Sequence, residues 1–370
     1  MHRISLWLFV VAALYVSGRA CATDDEAPAS QPVPHVALLL PLKSAAFGPA
    51  AAAVQQGFLA AANNQPQALP IRVYGSVDES NDIAALYRYA VDNGARAVAG
   101  PLTRNGVAAL ATGTEITVPT LALNLVDTRA ADNLYFFGLP AEAEARQTAQ
   151  LAATAGLQYA TIIISDSALF RRLGQAFAEE WQTTGGKIVA EIIYADNLTA
   201  LADIPTGLGH MVFLGVDAEK ARLIRPYLNK TLPVYATSQL FNGNDNRSKL
   251  INFDLNGILF VDMPWVLQPD HPAVMVYPRP DPPLSAENER LYALGVDAYR
   301  LLQIMLKNSY KTELPLDGVT GTIKLNDEQQ FQRLATPAVF KEGRGMTIEE
   351  AAALSAAASA ASAVPAVLPP

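Results

Sequence analysis

Several polar side chains come directly after short apolar runs that predict buried strands. In proteins with parallel sheets, ligands bind at these strand ends. Hydroxyl groups and backbone N–H groups could receive a ligand carboxylate, and an acidic side chain could receive an ammonium group. These residues therefore suit a zwitterion such as an amino acid, with Thr103 and Asp217 fitting the two roles. The predicted ligand set is Ser44, Thr103, Asn124, Ser165, Asp166, Asp217 and Ser238.

The same residue types also close turns and cap helices without any ligand. Asp166 and Asp217 both precede predicted helices, where an aspartate accepts hydrogen bonds from the free N–H groups of the first turn. The sequence favours this interpretation for each residue and leaves ligand contact open.

Catalytic and metal-binding patterns are not found in the sequence. The four histidines include no pair at the spacing of metal ligands. The sequence also has no G-x-S-x-G elbow, no Walker loop and no G-x-G-x-x-G motif. Acidic pairs such as Glu142 with Glu144 are expected on solvated helix faces. The sequence therefore predicts a protein that is not an enzyme, without catalytic residues, metal or cofactor.

The elements that would position the polar residues alternate regularly along the chain. Helical patterns separate apolar runs that predict strands at residues 35–42, 71–74, 97–100, 120–124 and 134–137. The alternation resumes at Glu142 and continues to residue 261, and a long amphipathic helix is predicted over residues 288–306. Strands that are apolar throughout need helices on both faces of their sheet, which predicts doubly wound, Rossmann-like α/β lobes.

Two lobes are expected because 370 residues are many for one core. The long helix is placed most economically back on the first lobe, so that both lobes are discontinuous. We assign residues 35–139 and about 264–333 to lobe 1, and residues 140–263 and about 334–345 to lobe 2. The crossings between them would act as a hinge around a ligand cleft.

Both ends of the chain differ from this body. Residues 1–22 have a basic start, an apolar run and a small-residue end, which predicts a signal peptide and export. Residues 23–34 predict a disordered acidic linker, and residues 350–370 predict an Ala/Pro tail that is disordered or a frayed helix. Cys21, the single cysteine, is either removed by cleavage after Ala22, which is favoured, or is the lipidated first residue of a lipoprotein.

The charge of the chain bears on its partners. It has 27 Lys and Arg against 35 Asp and Glu, a formal net charge of −8, and no basic block, which argues against nucleic acid. A protein-contact surface is predicted in the proline-rich stretch 264–283, where Trp265 and Tyr277 are rigid aromatic candidates. The alternative is that Trp265 packs inward.

Several segments resemble a known family in order and spacing. They are residues 100–102, 118–124, 136–146, 176–186, 292–298 and 316–321. They are similar to the penicillin-binding-protein activator family (LpoA, also called LppC), which has the type I periplasmic-binding-protein fold. The resemblance covers about residues 35–345. Better-known members carry a helical-repeat domain ahead of this part, and here only a linker is expected.

The resemblance implies a periplasmic, non-catalytic regulator that binds and stimulates a class A penicillin-binding protein, a peptidoglycan synthase. Anchoring to the outer membrane would follow if Cys21 carries lipid. The alternative is a periplasmic solute receptor for an amino-acid-like ligand in the inter-lobe cleft, serving ABC transport or sensing. Residues 101–105 (PLTRN) replace the small, hydroxyl-rich loop usual in amino-acid receptors of this superfamily, which favours the regulator.

Overall fold

The computed structural model describes residues 32–126, 131–195, 198–201, 203–244 and 246–362. The predicted signal peptide, Cys21 and most of the predicted linker lie outside the described residues. From Val33 onward the described residues form one compact unit. No helix among the described residues combines the length and the apolar character needed to cross a membrane.

Strands and helices alternate through most of the described chain. The strands are β1 (His35–Leu40), β2 (Ile71–Gly75), β3 (Ala95–Ala99), β4 (Thr120–Ala122), β5 (Leu134–Phe137), β6 (Tyr159–Ser165), β7 (Lys187–Tyr194), β8 (His210–Gly215), β9 (Val234–Ala236), β10 (Ile258–Asp262), β11 (Leu316–Gly318), β12 (Gly321–Leu325), β13 (Gln330–Leu334), β14 (Thr336–Lys341) and β15 (Arg344–Thr347). The helices are α1 (Gly48–Asn63), α2 (Glu79–Asp92), α3 (Arg104–Gly113), α4 (Ala141–Thr154), α5 (Ala168–Thr183), α6 (Ala218–Ile224), α7 (Asn246–Ile251), α8 (Pro264–Leu267), α9 (Pro272–Met275), α10 (Ala286–Lys307), α11 (Tyr310–Glu313) and α12 (Ile348–Ser362).

Two sheets of mostly parallel strands organise these elements. The first has the order β11-β12-β13-β5-β4-β3-β1-β2, and the second has the order β15-β14-β10-β9-β8-β6-β7. The central strands of both sheets are parallel, and antiparallel strands extend one edge of each. β1 is buried along its whole length, as expected for a strand covered by helices on both faces. This architecture confirms the predicted α/β class.

Each sheet is built from two separate parts of the chain. The first sheet uses residues 35–137 and 316–334, and the second uses residues 159–262 and 336–347. We retain the lobe boundaries given above as a proposal that this arrangement supports, and refer to the two halves as lobe 1 and lobe 2. The chain crosses between the sheets after β5, after β10 and after β13.

The structure adds elements that the sequence did not indicate. β11 to β15 are short strands whose pairing is antiparallel within the segment 316–347, although β13 also pairs in parallel with β5. The predicted strand at residues 120–124 ends at Ala122, because Leu123 donates its N–H to the carbonyl of Pro101 in the neighbouring loop. The predicted tail is helical as far as Ser362, which fits the high helix propensity of alanine.

Candidate functional site

Two residues of the predicted ligand set cap helices at the ends of strands. Thr103 Oγ1 accepts a hydrogen bond of 3.1 Å from the N–H of Gly106 at the start of α3. Asp217 Oδ1 accepts one of 2.9 Å from the N–H of Lys220 at the start of α6. These contacts occupy the side chains that were expected to suit a ligand carboxylate and a ligand ammonium group.

Asp166 does not cap the helix that follows it, contrary to the sequence interpretation. The neighbouring Ser167 accepts the N–H of Phe170 at 3.3 Å and is the cap of α5. Asp166 instead forms an exposed ion pair with Arg171 at 2.6 Å. The cap lies one residue further along because Ser167 has the extended backbone that precedes a first helical turn.

Three other residues of the set lie in turns and strand ends. Ser44 lies in the turn after β1, and its Oγ accepts an N–H at 3.4 Å. Asn124 donates from its side chain to the carbonyl of Leu102 at 3.0 Å and so ties the loops after β3 and β4 together. Ser165 is buried, and its hydroxyl has no hydrogen-bond partner in the described part of the chain.

The N–H groups just past β3 are occupied by the buried carboxylate of Glu79. Its two oxygens accept hydrogen bonds from Leu102 at 3.0 Å and from Thr103 at 2.7 Å. A Cβ atom at Gly106 would lie 2.6 Å from that of Glu79, so the glycine leaves room for this side chain. Burial raises the pKa of Glu79, against the effect of the hydrogen bonds from Leu102 and Thr103. The chain thus fills a place where a ligand carboxylate could meet backbone donors.

Replacing Glu79 with alanine tests whether these donors form a carboxylate site. We expect the free energy of unfolding to fall by about 1–3 kcal/mol, because the buried N–H of Leu102 and the partly buried N–H of Thr103 lose their acceptor. Acetate should restore part of the lost melting temperature, relative to sodium chloride at equal ionic strength, and should leave the wild-type chain unchanged. The exposed Glu115→Ala is the control. An equal acetate effect on E79A and on E115A would contradict this assignment.

A buried ion pair joins the lobes beside the third crossing. Glu144 on α4 pairs with Arg333 on β13, and the two side chains are 5% and 4% exposed. The second carboxylate oxygen of Glu144 accepts the N–H of Ser238, a member of the predicted ligand set, at 3.0 Å. Glu144 is therefore not on a solvated helix face, as its sequence pattern indicated. The cause is Arg333, which lies far along the chain and could not be paired with Glu144 from the sequence.

A second buried pair lies at the crossing after β10. Arg290 on α10 contacts Asp262 through two nitrogens, at 2.5 and 3.0 Å. The guanidinium also donates to the carbonyls of Phe241 at 2.8 Å and Ser238 at 3.1 Å. Complete burial raises the pKa of Asp262 even though Arg290 opposes the shift. Burial would lower the pKa of Arg290, but the Asp262 carboxylate raises it. Because of the short two-point contact, we take the pair to be ionised at neutral pH.

Gln147 forms hydrogen bonds directly with the third crossing, between β13 and β14. Its amide donates to the carbonyl of Ala335 at 2.7 Å and accepts the N–H of the same residue at 3.0 Å. Ala335 is the single residue between β13 and β14. Buried polar contacts therefore hold two of the three crossings, and a change in lobe orientation there would have to rearrange them.

A polar cavity of about 880 Å³ lies between the lobes and is lined by residues of α3, α4, α5 and β13. Glu142 at its wall accepts a hydrogen bond from Arg172 at 2.8 Å and lies 3.6 Å from Arg104. Although burial would raise the pKa of Glu142, these guanidinium groups lower it. No member of the predicted ligand set lines this cavity. The sequence interpretation missed its arginines, Arg104, Arg146, Arg172 and Arg333, because they come from four separate elements.

Trp265, predicted as a partner contact, is not at the surface. Its side chain is 0% exposed and stacks on Tyr292 with ring centroids 5.0 Å apart. The indole N–H donates to Glu289 at 2.5 Å, and Arg279 lies over the ring. The inward-packing alternative therefore describes Trp265. The other candidate, Tyr277, is partly buried against the core of lobe 1.

Within the described residues, no group of three or more His, Cys, Asp or Glu side chains is placed to hold a metal ion. The structure thus gives an α/β protein of two lobes, with a polar cavity between them and buried ion pairs near their crossings. This is the architecture of the type I periplasmic-binding-protein class, and solved structures of that class share it.

The chain belongs to the LppC family, whose model, described as "LppC putative lipoprotein", matches residues 27–205 and 209–343. Similar curated proteins include the penicillin-binding protein activator LpoA of Vibrio cholerae, 26% identical over 250 residues. That match covers 58% of this chain and 41% of the relative. LpoA of Photobacterium profundum is 25% identical over 348 residues, which is 83% of this chain and 56% of the relative. The chain therefore spans about half the length of these relatives.

Solved structures also match nearly all of the described body. A Chromobacterium violaceum protein, described as "a putative branched-chain amino acid ABC transporter", is 37% identical with a TM-score of 0.71. The match covers 83% of this chain and 99% of that one. The LpoA C-domain of Haemophilus influenzae, described as "a regulator of PBP1A", is 23% identical with a TM-score of 0.67, over 85% and 99% of the two chains. At 23% identity, the similarity to the LpoA C-domain is evidence for the fold alone.

Proposed function

We propose that the chain is a periplasmic, non-catalytic regulator of peptidoglycan synthesis that binds and stimulates a class A penicillin-binding protein. Similarity to curated proteins named penicillin-binding protein activators supports the type of partner. The observation that carries the proposal is the Glu79 carboxylate on the N–H groups of Leu102 and Thr103. A receptor for carboxylate ligands would keep such donors free, whereas a protein that acts through its surface has no need of them.

The test uses the purified mature chain and a class A penicillin-binding protein from the same cell. We expect a saturable increase in the rate of glycan polymerisation or of cross-linking, with direct binding of the two proteins. A heat-unfolded sample of the chain serves as the control for non-specific protein effects. If the synthase neither binds the chain nor changes its rate, the regulator is excluded.

A solute receptor is the second candidate, because a protein described as a putative branched-chain amino acid ABC transporter is 37% identical and a cavity of about 880 Å³ lies between the lobes. A ligand at one hundred times its dissociation constant stabilises the native state by about 2.7 kcal/mol, which a melting curve detects. A saturable shift with free amino acids would favour this candidate over the regulator. A shift with muropeptides alone would favour a cell-wall ligand.

We also propose a periplasmic location, anchored through lipid on Cys21. The description of the family as a lipoprotein family supports lipid over the cleavage after Ala22 that the sequence favoured. The mass of the mature N-terminus distinguishes the two, because cleavage after Ala22 removes the cysteine and lipidation retains it with added acyl chains.

A further inference from the structure

Lobe 2 carries a group of exposed apolar side chains. They lie on α6, on α7 and on the turns at residues 225–227 and 252–255, which contact one another. Each exposes between 41% and 76% of its surface. Clustered exposure of this kind marks interaction sites more often than scattered single residues do. The residues are Leu223, Tyr227, Leu250, Ile251 and Phe253.

The charge around these side chains is opposite to that of the whole chain. Residues 217–230 and 246–257 together contain six Lys and Arg and three Asp and Glu, whereas the chain has a formal net charge of −8. A local positive region on a negative protein attracts an acidic partner to that region and not to the rest of its surface.

Two arginines in this region have no acidic partner within the described chain. Arg222 and Arg225 each have a buried guanidinium nitrogen without a hydrogen bond, and no described carboxylate lies within 4.0 Å of either. By contrast, Arg290 and Arg333 each lie against a buried carboxylate. Both arginines are partly exposed, and a partly exposed guanidinium without an anion is a place where a partner carboxylate can bind with two hydrogen bonds.

We propose that Leu223, Tyr227, Leu250, Ile251 and Phe253, with Arg222 and Arg225, form a docking patch for a short acidic segment of a partner protein, with carboxylates and apolar side chains alternating. A short segment touches only this patch, whereas an extended anionic membrane would also face the negative remainder of the chain. The partner is the peptidoglycan synthase if the proposed function holds, and the chemistry of the patch is independent of that identity.

The defined probe is a fluorescein-labelled peptide of three Glu-Glu-Leu-Gly repeats, with a Lys-Lys-Leu-Gly peptide as its counterpart. We expect the full mature chain to bind the acidic peptide in a salt-dependent manner, measured by fluorescence anisotropy. Arg222→Glu with Arg225→Glu should weaken binding about tenfold or more, since two charge pairs become repulsive. Leu250→Ser, at the most exposed apolar position of the patch, should weaken it about threefold.

The matched control is Arg88→Glu with Arg96→Glu, which makes the same change in net charge at exposed positions of lobe 1. Melting curves establish that each variant is folded. If the double arginine variant does not fold, Leu250→Ser still tests the proposal. Equal peptide binding by wild type, R222E/R225E and L250S would overturn the proposal. Binding to phosphatidylglycerol vesicles that displaces the peptide would also overturn it, in favour of a membrane surface.

Titration with the synthase separates this patch from the proposed function. If the synthase does not bind the wild-type chain but the acidic peptide does, the proposed function fails and the patch stands. If the synthase binds wild type and R88E/R96E but binds R222E/R225E and L250S much more weakly, both proposals are supported. If it binds all variants equally and the peptide binds none, the patch is wrong and the regulator stands.

Discussion

Replacing Arg290 with methionine is expected to lower the free energy of unfolding by about 3–5 kcal/mol, because the fully buried Asp262 carboxylate would lose its counter-charge. The variant would also leave the carbonyls of Ser238 and Phe241 without their guanidinium donor. Urea unfolding at neutral pH, followed by far-UV circular dichroism, measures the loss. A large loss would show that this pair contributes to holding α10 of lobe 1 on lobe 2.

The pH dependence gives this prediction a specific signature. In the variant, burial still raises the pKa of Asp262, and the opposing charge is gone. The folded state then binds the proton more tightly than the unfolded state does, so its stability increases as the pH falls through that raised pKa towards the ordinary pKa of an aspartate. The difference in the free energy of unfolding between R290M and wild type should therefore become smaller as the pH is lowered.

Two further variants control for this effect. Arg171→Met breaks an exposed ion pair with Asp166 and should cost less than about 1 kcal/mol. Adding Asp262→Asn to Arg290→Met removes the uncompensated charge and should recover part of the loss. A loss in R290M no larger than in R171M, with no pH dependence, would contradict the importance of the buried pair.

Replacing Gly295 with valine is expected to lower the free energy of unfolding by about 3 kcal/mol or more, because it forces apart two closely packed helices. A Cβ at Gly295 on α10 would lie 2.1 Å from the carbonyl oxygen of Val54 and 2.8 Å from the nitrogen of Phe58, both on α1. On the other side of this crossing, a Cβ at Gly57 would lie 1.9 Å from the carbonyl oxygen of Tyr292. Backbone atoms within helices cannot move aside as a flexible side chain can.

The matched control is Gly75→Ala at the end of β2. Its added Cβ would meet Leu42 at 3.4 Å, which is an ordinary contact, so the change should stay below about 1 kcal/mol. Melting curves of both variants and of wild type provide the comparison. If G295V melts within a few degrees of wild type, the close approach of α1 and α10 is not a determinant of the fold.

Stimulation of the synthase should follow the folded fraction of these variants. R290M has a further expected consequence, because the pair joins the two lobes. At temperatures where R290M is fully folded, any loss of stimulation that R171M does not share would indicate that lobe orientation matters for the partner. This measurement connects the packing of the crossings to the proposed function.

Part of the fold could be predicted because it depends on local pattern. β1 and β6 are continuous apolar runs, which occur where helices cover both faces of a parallel sheet. The amphipathic spacing of α10 predicts its helix to within two residues at its start and one at its end. β13 could not be placed in this way, because it pairs with β5 nearly two hundred residues away and its own sequence alternates weakly.

The site residues also divide into those whose contacts the local sequence predicts and those whose contacts it does not predict. Thr103 and Asp217 could be interpreted as caps, since a cap acts within three residues of its own position. Glu79 and Glu144 could not be predicted as buried, because each stands in a helix whose spacing suits a solvated carboxylate. Their partners are Leu102, Thr103 and Arg333, and the side chains of remote elements decide whether a carboxylate is desolvated and paired.

The sequence by itself determined the α/β class, the alternation of strands and helices and the family, because periodicity and short collinear motifs are properties of neighbouring residues. Tertiary structure alone decided that the Glu79 carboxylate occupies the N–H groups of Leu102 and Thr103, that Trp265 is buried and that buried ion pairs connect the lobes near the crossings. The physical reason is that burial and charge pairing depend on atoms brought together from distant parts of the chain. The local sequence around a residue does not show which distant residues will lie beside it.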